Sequence, residues 1–188
     1  MTRTQYYCAS TLDGYIAEAD DTLDWLMKYE GTFANPDVDP SEGPPYDAFY
    51  EGIGALVMGS ATYEFVLNEG GEWHYAGKPT WVLTSRDLPT PEGEGVDVRF
   101  ANAPAADLQG EMAAAAGEGD LWVVGGGNVA SQFADAELLD DLIVTVVPVV
   151  LAAGKPLFDR RPPGGSMQLI STRSFGNGMV ELRYEIRH

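Results

Sequence analysis

The sequence predicts an α/β fold with a mixed, mostly parallel sheet and flanking helices. Short β-rich runs alternate with helical stretches along most of the chain, which is typical of parallel strands joined by crossover helices. Near the end, "MQLISTRSF" and "MVELRYEIR" alternate at a period of two residues around Gly176–Gly178, and this pattern predicts an antiparallel hairpin. The chain has 188 residues and shows no internal repeat or linker, so we expect a single domain spanning residues 1–188.

The first half of the chain contains three predicted strands and three predicted helices. Asp21–Tyr29 begins with acidic residues and carries apolar Leu23, Leu26 and Met27, which indicates a short helix. Gly31–Pro45 is rich in proline and glycine, and a loop of this length is more often the wall of a site than a plain connection. In order, the predicted elements are a strand at Gln5–Ser10, the helix at Asp21–Tyr29, a helix in "YDAFYEGI", a strand at Ala55–Gly59, a helix in "SATYEFVL" and a strand at Thr80–Ser85.

The second half continues the alternation and ends in the hairpin. A helix is predicted at Pro104–Ala116, where the proline is tolerated in the first turn. "DLWVV" predicts a strand, three glycines follow it, and "NVASQFADAEL" predicts the next helix. Leu142–Val150 is a long apolar run, which predicts a strand buried on both faces.

The composition restricts the partners of the protein. Eleven Lys and Arg residues face 29 Asp and Glu residues, and the resulting formal charge of -18 would repel nucleic acid. We expect no membrane contact, because no run of about 18 apolar residues is present. The segment "MTRTQYYCAST" lacks the apolar region of an export signal, so we expect a cytoplasmic protein. The single cysteine, Cys8, and two histidines leave no zinc cluster, so we expect no metal.

Three consecutive glycines, Gly125, Gly126 and Gly127, stand between a predicted strand and a predicted helix. Such a turn lets a phosphate approach backbone N–H groups and the positive end of the helix. The alternative is a tight turn that needs a positive φ, for which one glycine would be enough. The literal G-x-G-x-x-A match to a Rossmann fingerprint is disfavoured, because it lies late in the chain and "LIVTVVPVV" lacks the expected acidic residue.

Other predicted strand ends carry similar turns. Because ligands of open α/β sheets bind beyond the carboxyl ends of the strands, these turns line one crevice. They suit a ligand with a pyrophosphate and one more phosphate. The turns contain Asp13-Gly14 after the first strand, Gly59 with Ser60 and Thr62 after the second, Ser85-Arg86 after the third, and the segment Pro148–Phe158 at the end of the long apolar strand.

Five motifs in order, "STLDGYIA", "VMGSATYE", "VLTSR", "VVGGGNV" and "PVVLAAGKPLF", resemble the dihydrofolate reductase superfamily. The sequence is most similar to stand-alone proteins that resemble the reductase domain of the bifunctional riboflavin-biosynthesis deaminase/reductase. The resemblance covers nearly the whole chain. It implies a three-layer dihydrofolate reductase-like fold, NADPH as the hydride donor and a homodimer.

The resemblance also implies roles for individual residues. The pyrophosphate would contact the glycine turn, with Gly125-Gly126 as a cis peptide, and the opposite turn would hold phosphate from the other side. By position, these residues are Gly125, Gly126, Gly127, Asn128 and Val129 on one side, Gly59, Ser60 and Thr62 on the other, Ser85 and Arg86 at the 2′-phosphate, and Ala9 and Ile16 at the nicotinamide. Ser60 and Ala61 replace an arginine and a lysine that are common in the family, which leaves the choice between NADP and NAD open.

Three carboxylates are candidates for catalysis. Asp13 either orients a substrate or forms an Asp-Gly turn. Asp24 and Glu30 either donate a proton to the substrate or are surface charges.

These observations predict an NADPH-dependent reductase of a small heterocycle of the pterin or pyrimidine kind, an imine or a carbonyl. In such an enzyme the protein orients the cofactor, and the cofactor performs the hydride chemistry. The alternative is a nucleotide-binding protein of the same fold without turnover.

Overall fold

A computed structural model describes residues 2–31, 43–162 and 166–188. The described elements, in chain order, are β1 (Thr4–Thr11), β2 (Tyr15–Ala17), α1 (Asp24–Met27), α2 (Tyr46–Glu51), β3 (Ile53–Gly59), α3 (Ser60–Asn68), β4 (Thr80–Leu83), β5 (Val98–Ala101), α4 (Ala105–Ala116), β6 (Asp120–Gly125), α5 (Gly127–Asp135), β7 (Asp141–Val147), β8 (Lys155–Pro156), β9 (Ser166–Ser174) and β10 (Val180–Arg187). Residues 32–42 of the predicted loop at Gly31–Pro45 lie outside the described residues.

Eight strands form one sheet in the order β5-β4-β3-β6-β1-β7-β10-β9. All neighbouring strands from β5 to β7 run parallel, whereas β10 is antiparallel to both β7 and β9. The prediction of a mixed, mostly parallel sheet with a C-terminal hairpin is confirmed. Strands β2 and β8 form a separate antiparallel ribbon.

The sheet is the middle of three layers. Both faces of the sheet are covered, as strand β3 shows. Its residues Ala55, Leu56, Val57 and Met58 point alternately to the two faces, and all four are fully buried. On one face, side chains from α4 and α5 pack against Tyr6, Val57 and Val123 in one apolar core. On the other face, α3 and α2 pack against Tyr7, Leu56 and Trp122 in a second core.

Helix α2 contacts the sheet through aromatic rings. Phe49 meets Trp122 edge to face at 5.3 Å between ring centroids, and Tyr46 and Tyr50 lie 6.0 and 6.4 Å from the same indole. The Trp122 Nε1 donates a hydrogen bond to the carbonyl oxygen of Tyr7 at 3.0 Å, which fixes the indole against the sheet.

Several predicted elements extend beyond the observed ones, and two of them have a clear cause. The helix predicted at Asp21–Tyr29 is a single turn, Asp24–Met27, since Asp21 has a φ of 68° that no α-helix accepts. The strand predicted at Leu142–Val150 ends at Val147, because Pro148 has no N–H to donate to a ladder. In the described parts of the chain, every helix is too short or too polar to cross a membrane.

Candidate active site

Two helices begin side by side at the carboxyl edge of the sheet. Helix α3 starts directly after β3 and α5 starts after the neighbouring strand β6. A Cβ built on Gly59 would lie 3.4 Å from Cγ2 of Val129 and 3.9 Å from the backbone nitrogen of Gly126, so the two turns are in contact. Neither helix has a side-chain N-cap hydrogen bond. Among the described residues, no N-cap side chain therefore competes with an anion for the positive ends of these two helices.

A cavity of about 360 Å³ opens at this point. Its volume suits a small-molecule ligand. Eight of the predicted cofactor residues line it: Ile16, Gly59, Ser60, Thr62, Gly126, Gly127, Asn128 and Val129. Eight of the 18 described residues that line the cavity were therefore predicted from the sequence. The far wall comes from Lys155 and Pro156, which lie in the segment Pro148–Phe158 that the sequence places at the same crevice, and from Asp159, which the sequence did not indicate.

The three glycines of the turn serve three different contacts. A Cβ on Gly127 would clash with the carbonyl oxygen of Pro156 and lie 3.1 Å from that of Leu157, so this glycine permits close packing against β8. A Cβ on Gly125 would lie 3.2 Å from Oγ1 of Thr62. A Cβ on Gly126 would meet only Cδ1 of Ile16, at 3.8 Å, so a side chain there would enter the cavity. The Gly125-Gly126 peptide bond is cis, as the resemblance implies.

Charged groups at the cavity wall are already paired. Lys155 Nζ lies 3.3 Å from Oδ1 of Asp21. The Asn128 amide donates to Oδ2 of Asp159 at 2.6 Å and accepts a hydrogen bond from Gln132 Nε2 at 2.9 Å. Asn128 would therefore meet a phosphate through its backbone N–H. Burial alone raises the pKa of Asp159, but hydrogen bonds from Asn128 and Ser131 and the charge of Arg160 outweigh burial and lower it.

Arg86 lies outside the cavity lining and forms a bidentate ion pair with Glu64 of α3. Its Nη1 donates to Oε2 of Glu64 at 2.7 Å, and this hydrogen bonding lowers the pKa of the Glu64 carboxyl. A 2′-phosphate would have to replace this carboxylate. The cofactor roles of Ser85 and Arg86 stay predictions.

The three predicted catalytic carboxylates do not line the cavity. Asp13 accepts hydrogen bonds from Thr11 Oγ1 at 2.6 Å and from the N–H groups of Leu151 and Ala152, and the Thr11 bond is the main cause of its lowered pKa. Through these hydrogen bonds, Asp13 connects the turn that follows β1 with the loop that follows β7. Asp24 is exposed and forms an ion pair with Lys28 at the C-cap of α1, and Glu30 is exposed. Their catalytic roles stay predictions.

A second cleft, of about 280 Å³, lies between α2 and the strands β7, β10 and β9. Its lining residues are Tyr7, Pro45, Ala48, Phe49, Ile143, Ser171, Arg173, Glu181 and Arg183. The sequence reasoning missed this cleft, although the alternating charges of "ELRYE" in β10 mark a polar face at that position. Ala9, a predicted nicotinamide contact, is paired with Thr145 on the adjacent strand β7. No described group of three or more His, Cys, Asp or Glu side chains is arranged to hold a metal ion.

The three layers, the strand order and the cleft at paired helix N-termini define a reductase-type α/β domain of the dihydrofolate reductase-like class. The RibD C-terminal domain family matches residues 68–181, and the chain belongs to this family. It is 31% identical to the uncharacterized protein YwjB of Bacillus subtilis (strain 168) over 97% of each chain.

Solved structures show the same fold. A putative riboflavin biosynthesis protein from Shewanella sp. PV-4 is 27% identical, with a TM-score of 0.81 and complete coverage of both chains. A dihydrofolate reductase from Enterococcus faecalis, complexed with NADP(H), is 20% identical, with a TM-score of 0.60 over 99% of this chain and 97% of that chain.

Proposed function

We propose that the protein is an NADPH-dependent reductase of a small heterocycle of the pterin or pyrimidine kind, an imine or a carbonyl. The observation that carries the proposal is the convergence of the α3 and α5 N-termini on one cavity. Backbone N–H groups and helix dipoles bind a pyrophosphate without any cation, which suits a site whose described charged residues are already paired. Membership of a reductase-type family supports the same function.

The residues fit the cofactor in a definite arrangement. The turns at Gly59 and at Gly126, which line the cavity, would hold the pyrophosphate between them. Ile16, also in the lining, and Ala9, which lies outside it, would contact the nicotinamide. The cofactor supplies the hydride, and the chain positions the substrate beside it. The experiment that tests this function is NADPH oxidation measured with pterins, pyrimidines and aldehydes, together with calorimetric titration of NADPH.

A nucleotide-binding protein without turnover is the second candidate. It is favoured by one observation, namely that Asp13, Asp24 and Glu30 do not line the cavity. NADPH binding without oxidation in the presence of any substrate in the panel would favour it over the reductase.

We also propose that the protein forms a homodimer in the cytoplasm. The outermost strand β9 exposes Met167, Leu169 and Ile170, each between 43% and 50% accessible, at an unpaired sheet edge. A second copy would cover this edge, which is otherwise a template for uncontrolled strand pairing. Light scattering coupled to size-exclusion chromatography tests the proposal, and a monomer at micromolar concentration contradicts it.

A further inference from the structure

Lys155 is the one cation among the described residues that line the larger cavity. Helix α3 begins with "SAT" and α5 begins with "GNV", so neither helix start carries a positive side chain. The lining also contains two carboxylates, those of Asp21 and Asp159. Negative side chains therefore outnumber positive ones at the cavity, in a protein whose formal charge is -18. A bound pyrophosphate adds further negative charge, so this single lysine has a large influence on how strongly such an anion is held.

The backbone of Lys155 is fixed beside the first turn of α5. Lys155 and Pro156 form β8, and a Cβ on Gly127, the first residue of α5, would clash with the carbonyl oxygen of Pro156. A little further along the chain, Nδ2 of Asn128 donates a hydrogen bond to Oδ2 of Asp159 at 2.6 Å. These contacts hold β8 against α5 and place Lys155 next to the helix end that faces the cavity.

The side chain of Lys155 has one weak partner. Its Nζ lies 3.3 Å from Oδ1 of Asp21, and within the described parts of the chain it donates no hydrogen bond. The two side chains are 44% and 46% exposed, and ion pairs in such positions contribute little to stability. Asp159 is held more firmly, because Asn128 and Arg160 both donate hydrogen bonds to its carboxylate. The flexible stem of a lysine allows its ammonium group to leave Asp21 while the backbone stays in place.

We propose that Lys155 is a phosphate ligand of the nicotinamide cofactor and that cofactor binding moves its Nζ from Asp21 to the pyrophosphate. This proposal rests on the proposed function, in which the larger cavity holds that cofactor. The two helix N-termini provide N–H groups for the pyrophosphate, and Lys155 adds the positive charge that the helix starts lack. Asp21 competes with the phosphate for the ammonium group. Because the pyrophosphate is common to NADPH and NADH, Lys155 strengthens the binding of both cofactors.

Variants of the two partners should change cofactor affinity in opposite directions. Lys155→Ala should weaken NADPH and NADH alike by about tenfold, through the loss of one charge-assisted hydrogen bond to phosphate, and Lys155→Arg should retain most of the affinity. Asp21→Asn should tighten both cofactors about two- to fivefold, because it removes the competing carboxylate of an exposed ion pair. Asparagine suits this position, since Asp21 has a φ of 68°. Calorimetric titration measures each affinity, and circular dichroism checks the fold of each variant.

The opposite signs distinguish the exchange of partners from a structural ion pair. If the pair only joined β8 to the turn after β2, the loss of either partner would weaken binding. Weaker or unchanged binding by Asp21→Asn, or unchanged binding by Lys155→Ala, therefore overturns the proposal.

Two matched controls separate this exchange from a general effect of charge. Lys28→Ala removes the same positive charge from an exposed Asp–Lys pair outside the cavity. Asp20→Asn removes a carboxylate next to Asp21 in the chain, one that accepts hydrogen bonds from Thr22 instead of pairing with Lys155. If either control changes the affinity as much as its counterpart at the cavity does, overall charge explains the effect and the proposal fails.

The same titrations separate this proposal from the proposed function. Binding needs no substrate, so the role of Lys155 is measured whether or not NADPH is oxidised. Equal NADPH binding by the parent and by Lys155→Ala overturns the role of Lys155 and leaves the reductase proposal in place. A parent protein that binds neither NADPH nor NADH overturns both.

Discussion

Gly126→Val tests whether the glycine turn is a phosphate site. The backbone of Gly126, at φ -92° and ψ -168°, is extended and accepts any residue, and its Cβ would meet only Cδ1 of Ile16 at 3.8 Å. The fold should therefore tolerate valine, and the melting temperature should change by only a few degrees. The valine methyl groups, however, would occupy the space in front of the α5 N-terminus.

The expected loss of affinity follows from the hydrogen bonds that valine displaces. One charge-assisted bond from an N–H group to phosphate contributes about 1.5–3 kcal/mol. Since about 1.4 kcal/mol corresponds to a factor of ten, NADPH should bind roughly tenfold to a hundredfold more weakly. Calorimetric titration of NADPH measures this change, and circular dichroism confirms the fold. Unchanged NADPH affinity in a folded variant would show that the turn is structural.

Gly127→Ala provides the neighbouring control. Its Cβ would clash with the carbonyl oxygen of Pro156, so alanine should destabilise the protein by about 1–3 kcal/mol through overpacking. Chemical denaturation measures the free energy of unfolding. Equal stability of the two variants would contradict the different contacts assigned to these two glycines.

Further predictions concern charge. Arg86→Ala should weaken NADPH roughly tenfold to a hundredfold and NADH much less, because only NADPH carries the 2′-phosphate; equal effects on both cofactors would remove Arg86 from the phosphate site. Glu64→Gln should tighten NADPH severalfold, since it releases Arg86 from a competing carboxylate, and an unchanged titration would count against that competition. The pKa of Glu181 is higher in the folded protein than in the unfolded chain, so its protonation stabilises the fold. This contribution is complete below the ordinary carboxyl pKa and is lost as pH rises through the raised pKa. Glu181→Gln should therefore be more stable than the parent at pH 7, with a smaller difference near pH 4, in urea titrations at both pH values. Glu185→Gln, which removes the same charge from β10 beside Arg3, should show no such gain.

Local patterns in the sequence were sufficient for much of the fold and of the larger cavity. The strand and helix at Ala55–Gly59 and "SATYEFVL" were predictable because apolar runs and glycine turns act over a few residues. The β2–β8 ribbon was not predictable, since it joins Tyr15–Ala17 to Lys155–Pro156 across the whole chain. The contact that requires Gly127 depends on that ribbon and so was invisible in the sequence.

The same distinction applies to the charged residues. Arg86 follows strand β4, which ends at Leu83 and not at the predicted Ser85. Its partner Glu64 lies on a different element and could be identified only once α3 and β4 were packed. The second cleft depends on the register of β10 against β7, which sequence periodicity leaves undetermined. Periodicity shows which residues share a face of a strand. Strand pairing determines which side chains of neighbouring strands and helices contact that face.

The attachment of α2 by aromatic rings gives the protein an optical reporter. Rings held edge to face in an asymmetric environment produce near-ultraviolet circular dichroism that vanishes when their mutual orientation is lost. Trp122 lies beneath Phe49, and Phe49 also lines the cleft that contains Arg173. A ligand in that cleft is therefore expected to change the near-ultraviolet circular dichroism of Trp122, although Trp122 does not line the cleft. Binding can then be followed without any label.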